Sequence, residues 1–155
     1  MIIVGYQGIG KSTLAAKDDK FISLESSSFY INGKRSKDWY IPYCEIAFDL
    51  SKQGFIVFTS SHKVVRGIFR NSFDHMALCY PNESLHDQWI NKLQKRYDFT
   101  GLDEDYRALQ NVKFKFYEDI NDLKNEKEFG HIVLTSIDYD LKEEINKYLK
   151  NRRTS

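Results

Sequence analysis

Cysteine is nearly absent from this chain. Cys44 and Cys79 are the only two, and they stand in no C-x-x-C or comparable ligand spacing. A disulfide framework and a cysteine-based zinc site are therefore excluded, and two reduced, buried thiols are expected. Proline occurs only at positions 42 and 81, so no proline-rich linker divides the sequence. No apolar run approaches the ~20 residues that span a bilayer. The chain enters an apolar strand at residue 2 without a signal-peptide pattern, so a soluble cytoplasmic protein is expected. A dominant charge is missing too: 23 Lys and Arg against 22 Asp and Glu leave a formal charge of +1. Membranes and nucleic acid are disfavoured as partners, small molecules are expected, and any affinity for phosphate has to be local.

What is present begins at the amino terminus. Gly5, Gly10, Lys11 and Ser12 complete G-x-x-x-x-G-K-[ST], a phosphate-binding P-loop. By chance these four fixed positions coincide in about one chain of this length in two hundred. The context fits as well. Ile2, Ile3 and Val4 make a β-branched run suited to a buried strand, and residues 13–17 read as the first turns of a helix. Glycine permits the tight backbone that aims successive N–H groups at phosphate oxygens, and the helix start adds to that attraction. Gly5, Gln7, Gly8, Ile9, Gly10, Lys11, Ser12 and Thr13 are accordingly expected to bind the nucleotide. Lys11 is expected to reach the outer phosphates and the Ser12 hydroxyl to ligate Mg²⁺.

With 155 residues, one domain with a real core is expected over 1–155. Strand-like runs at 2–4, 21–25, 55–59, 76–80 and 131–135 alternate with helical ones at 13–17, 39–52, 63–70 and 141–149. That alternation predicts an α/β protein, a three-layer α/β/α sandwich around a five-stranded parallel sheet. Residues 26–38 read as a polar loop, and 151–155 as a frayed end. Between the fourth and fifth strands two helical stripes stand in sequence. One carries Leu85, Trp89, Ile90, Leu93 and Tyr97; the other carries Leu102, Tyr106, Leu109, Val112, Phe116 and Ile120. Two readings are open for this pair, over about 83–122: plain packing at the sheet edge, or a lid over the nucleotide.

In such sheets ligands bind at the carboxyl ends of the strands. Glu25 follows the second strand, where a carboxylate meets a substrate group or a metal-bound water, or merely caps a turn. In the loop beyond it, Lys34 and Arg35 suit an acceptor phosphate, and Trp39 or Tyr40 a stacked ring. After the third strand comes Ser60-Ser61-His62 with no Walker B aspartate. His62 reads either as a general base or as a bystander. Arg66 and Arg70 share a helix face and form an anion clamp if that face meets the crevice, with Arg66 the closer to the strand end. Lys92, Lys95 and Arg96 cluster on the first stripe, where Arg96 suits the charge that develops during phosphoryl transfer, or else faces solvent. Arg107 is a further candidate on weaker grounds.

Taken together, residues 5–12, Glu25, Ser60-Ser61-His62 with Arg66, and Lys92, Lys95 and Arg96 resemble the P-loop nucleoside and nucleotide kinases. The resemblance is strongest to small nucleoside-monophosphate-kinase-like proteins of bacteriophages and prophages. It implies a strand order of 2-3-1-4-5, ATP and Mg²⁺ as cofactors, and transfer of the γ-phosphoryl group to a nucleoside monophosphate, deoxynucleotides included, or a related small acceptor. Lys11 and Arg96 take the catalytic roles in that picture, Glu25 and Arg66 bind the acceptor, and Ser12 ligates the metal. The missing acid after the third strand supports a competing expectation, a nucleotide-binding regulatory protein with weak or no ATPase activity.

Overall fold

The computed structural model describes residues 1–72 and 75–153. In chain order the elements are β1 (Ile2–Gly5), α1 (Lys11–Lys17), β2 (Phe21–Ser23), β3 (Tyr30–Ile31), β4 (Lys34–Arg35), α2 (Tyr40–Lys52), β5 (Ile56–Thr59), α3 (Lys63–Arg70), β6 (Met76–Pro81), α4 (His86–Thr100), α5 (Asp103–Lys124), β7 (Gly130–Leu134) and α6 (Leu141–Arg153). Short 3₁₀ turns cover Ser26–Phe29 and Glu83–Leu85.

Five of the strands form one parallel sheet in the order β2-β5-β1-β6-β7. Counted along the chain without the hairpin strands, this is the expected order 2-3-1-4-5. β1 lies at the centre because Ile2, Ile3 and Val4 are apolar toward both faces, and all three are buried. A strand of that composition is stable only with neighbours on both edges and helices on both sides, the three-layer arrangement found. The register pairs Val4 with Thr59 and Gly5 with Cys79, so the loops after β1, β5 and β6 leave the sheet at one level. Tyr43 of α2 fixes that edge further. Its buried hydroxyl donates to the Leu24 carbonyl (2.6 Å) and accepts from the Ser60 N–H (2.8 Å), tying the segment after β2 to the one after β5. Cys44 and Cys79 are free and buried. Among the described residues no helix is long and apolar enough to cross a membrane.

Several local expectations give way. The polar stretch 26–38 contains the antiparallel hairpin β3–β4, in which Tyr30 pairs with Arg35 and Ile31 with Lys34. Its turn is Asn32-Gly33, with φ of 51° and 79°. An Asn-Gly pair tolerates positive φ at both central positions, and that geometry closes a two-residue hairpin loop. α6 stays helical through Arg153, where basic residues in its last turn complement the helix dipole; of the segment expected to fray, Thr154 and Ser155 lie outside the described residues. On α5 the buried stripe is Leu109, Val112, Phe116, Ile120 and Leu123, with Asp105 in phase with it. Leu102 and Tyr106, expected in that stripe, are exposed.

Candidate phosphate-binding loop and adjoining cleft

The loop from Gly5 to Lys11 doubles back tightly. A Cβ placed on Gly5 would lie 2.7 Å from Ile9 Cδ1 and 2.9 Å from Lys11 Cδ, so a larger residue here would have to displace both side chains. Gly8 and Gly10 have φ of 88° and 103°, conformations that side chains with a Cβ rarely adopt. Two side chains from distant elements then hold the loop by its carbonyls. The indole N–H of Trp89 on α4 donates to the Gln7 carbonyl (2.9 Å), and the Tyr139 hydroxyl donates to the Ile9 carbonyl (2.6 Å). In a trans peptide the next N–H points opposite to the C=O, so the amides of Gly8 and Gly10 are directed away from these two braces. Apart from the turn at Gln7–Gly8, no backbone hydrogen bond donated by residues 7–13 is found among the described residues. Consecutive donors left open in this way are a ready-made cradle for anionic oxygens.

The charged groups stand around this cradle. Lys11 Nζ donates to the Gly5 carbonyl at 2.9 Å. Burial drives its pKa down to about 8; Arg96 pushes the same way, while Glu25 opposes. Ser12 Oγ donates to Glu25 Oε1 (2.8 Å), and Ser23 Oγ donates to the same oxygen (2.7 Å). Burial raises the Glu25 carboxyl, but those two hydrogen bonds, with Lys11 and Arg96, outweigh it and hold the acid below its ordinary value. The carboxylate from β2's end thus meets the hydroxyl of α1. Arg96 is half-exposed on α4, its Nε bound to Asp105 Oδ1 at 2.8 Å. Asp105 is buried and also accepts the Thr100 hydroxyl. One turn before Arg96, the Lys92 ammonium donates to the Tyr139 hydroxyl (2.7 Å) and lies 4.5 Å from the centre of the Trp89 ring. Burial, then Arg96, lowers Lys92 to about 8.

In the helix pair, Trp89 and Leu93 of α4 are buried directly against Gly8. Arg66 is engaged within the protein. Its guanidinium is buried in an ion pair with Glu126 (2.7 Å) and its Nε donates to the Ser61 carbonyl (3.0 Å). Arg70 joins the same carboxylate at 2.6 Å. The two arginines therefore pin α3 to the segment after α5: a buried guanidinium requires a partner, and Glu126 supplies it. His62 shares a hydrogen bond with Ser60 Oγ (2.7 Å) and meets the Trp39 ring edge-on at 5.1 Å. Desolvation by those neighbours, with the charges of Arg35 and Lys11, lowers it to about 4 and leaves a neutral imidazole at pH 7. Lys34, Lys95 and Arg107 are exposed.

Trp89, Tyr139, Asp105 and Tyr43 went unread in the sequence. Trp89 carried a usable signal, since a buried indole N–H must find an acceptor and the stripe assigned it to the core. Tyr139 and Asp105 carried none. Gln7 and His62 both border an open cleft of about 570 Å³ between the hairpin and α5, which likewise has no sequence pattern.

No protein-family model matches the sequence, and no curated protein does. Among solved structures, a gluconokinase from Sinorhizobium meliloti is similar in fold, with a TM-score of 0.53 over 96% of this chain and 88% of that one, at 16% identity. The chain thus shares the α/β fold of that structure, a five-stranded parallel sheet between helices.

Proposed function

We propose that this chain is an ATP-dependent phosphotransferase. Its acceptor in this reading is a nucleoside monophosphate, deoxynucleotides included, or a related small molecule. The observation that carries the reading is the glycine loop with its open amides closing on Lys11. Those donors and the lysine bind the triphosphate tail, and Arg96 meets the charge on the transferred group. Asp105 holds Arg96 through its Nε, at 2.8 Å.

The residues fit a Mg²⁺ that arrives with ATP. Ser12 offers a hydroxyl oxygen beside the Glu25 carboxylate, both hard donors, and Mg²⁺ takes few protein ligands and keeps several waters. Among the described residues no cluster of three acidic, histidine or cysteine side chains would hold a resident metal. When bound, the ion neutralises charge on the outer phosphates. Glu25, after β2 and bonded to Ser12, takes over the water-orienting role in the absence of a Walker B aspartate after β5. In the transfer an acceptor oxygen forms a bond to the γ-phosphorus, the bond to the bridging oxygen breaks, and ADP leaves with the electron pair. An ionised phosphate acceptor gives up no proton, so a neutral His62 and a hydrogen-bonded Glu25 suffice.

The likeness to the phage-type kinases rests on the loop residues and remains part of this proposal, as does the choice of small nucleotides as partners. The regulatory reading keeps one observation in its favour, the Ser60-Ser61 sequence after β5 in place of an acid. A screen of nucleosides, nucleoside monophosphates and gluconate with labelled ATP separates them. Product formation that falls about 100-fold or more in Lys11→Ala supports the kinase. Tight ATP binding with no transfer to any acceptor supports the regulator. Glu25→Gln abolishes turnover if the acceptor is a hydroxyl, and has a mild effect if it is a phosphate.

A further inference from the structure

The cleft beside the loop has walls of unusual chemistry. Tyr30 and Arg35 of the hairpin form one side, and Tyr106, Arg107 and Phe114 of α5 form the other. α5 already buries its apolar stripe on the opposite face, so Phe114, 80% exposed, contributes nothing to the core. The rings are interleaved with cations. The Arg35 guanidinium lies 4.1 Å from the centre of the Trp39 ring and 4.8 Å from that of Tyr30, and Arg107 lies 5.5 Å from Tyr30. Ring and cation therefore alternate from the start of α2, through the hairpin, to α5. Arg35, Arg107 and Lys115 face the cleft against one acid, Glu104. The chain's net charge of +1 conceals this local excess.

Flat rings set among guanidinium groups bind a flat, electron-rich heterocycle that carries negative charge. A sugar acid such as gluconate offers an anion but no π-face. The amides of Gln110 and Asn111 line the same cleft and supply donors and acceptors for the edge of a ring. A volume of about 570 Å³ is of the size that holds a small ligand. We infer that the cleft between the hairpin and α5 is the acceptor site, that it takes a nucleobase-bearing phosphate, and that Tyr30 and Phe114 are its stacking platform with Arg35 and Arg107 as its phosphate contacts. Gln7 and His62 place that ligand at the mouth of the loop. What happens to the bound ligand rests on the phosphotransferase reading; its binding does not. The same chemistry is presented by a free nucleotide and by the terminal nucleotide of a single strand.

The test is a titration without ATP, by calorimetry and tryptophan fluorescence. Ligands are nucleoside monophosphates, gluconate, and a 5′-phosphorylated single-stranded hexamer. The wild-type protein is expected to bind the monophosphates, and Tyr30→Ala or Phe114→Ala to weaken them about 5- to 100-fold. Arg107→Ala is expected to weaken binding and flatten its salt dependence. All three positions are exposed, so the variants fold, and their melting curves verify this. Preference for the hexamer or for the free nucleotide identifies the source, and both support the site. Unchanged binding in all three variants, binding of gluconate but not nucleotide, or a Phe114-dependent dimer with no nucleotide affinity overturns the inference. The two proposals fail separately: no transfer from ATP to any acceptor sinks the phosphotransferase alone, because acceptor binding is measured without ATP and is expected to persist, in the wild type and in Lys11→Ala.

Discussion

Replacing Gly8 by alanine tests whether α4 braces the phosphate loop. Gly8 has a φ of 88°, and holding a residue with a Cβ there costs about 1–3 kcal/mol. The new Cβ would also sit 2.9 Å from Leu93 Cδ2 and 3.1 Å from Trp89 Nε1. Both neighbours are locked in the core, so neither moves aside freely. Pushing Trp89 back stretches its 2.9 Å hydrogen bond to the Gln7 carbonyl, a contact worth about 1 kcal/mol. Strain and crowding together place the cost at about 2–4 kcal/mol, or roughly 5–15 °C in melting temperature for a domain of this size. Gly54→Ala is the control, because φ is 97° there and no atom lies within 4 Å of the added Cβ. It carries the strain without the crowding. Urea denaturation of both variants, with ATP affinity measured alongside, separates the two effects. Equal stability of the two variants together with unchanged ATP affinity in Gly8→Ala would refute the bracing of the loop by α4.

Three further outcomes are expected. Lys11 and Lys92 are both held near 8, by burial first, so between about pH 8 and 10.5 the unfolded chain binds more protons than the folded one. Stability of the unliganded protein therefore rises with pH across that window, while ATP affinity falls as Lys11 discharges; an affinity flat from pH 7 to 9.5 contradicts this. Glu126→Gln strips the partner from Arg66, in a pair whose side chains are 8% and 10% exposed, and is expected to cost about 3 kcal/mol in chemical denaturation. Burial raises the Glu126 acid, but Arg70 and Arg66 bring it below 4.5, so its contribution is complete above pH 4.5 and fades as the pH falls through the lowered value. Gly67→Ala, inside α3 with nothing within 4 Å of the added Cβ, is expected to stabilise by about 0.5–1 kcal/mol, as read from melting curves.

The hairpin shows where legibility ends for a local feature. Asn32-Gly33 was present in the sequence, but strands of two residues are too short to show the alternation by which strands are recognised. Tyr106 shows a different limit. Its spacing from Leu109 fits a helical stripe, yet the stripe's phase is set by Asp105, which is buried because Arg96 and Thr100 satisfy it. No periodicity in apolar residues contains that pairing.

The phosphate loop was legible because its chemistry is contiguous: seven residues of backbone, Gly5 to Lys11, with glycine where φ is positive and a lysine at the end. The sheet was legible because a buried parallel strand must be apolar on both faces, and Ile2-Ile3-Val4 is. Only the tertiary structure decided what braces the loop and what became of the arginines. Trp89 reaches Gln7 across 82 residues, Tyr139 reaches Ile9 across 130, and Arg66 reaches Glu126 across 60. Such contacts depend on which helix the strand order sets against which loop, and no stretch of chain carries both partners.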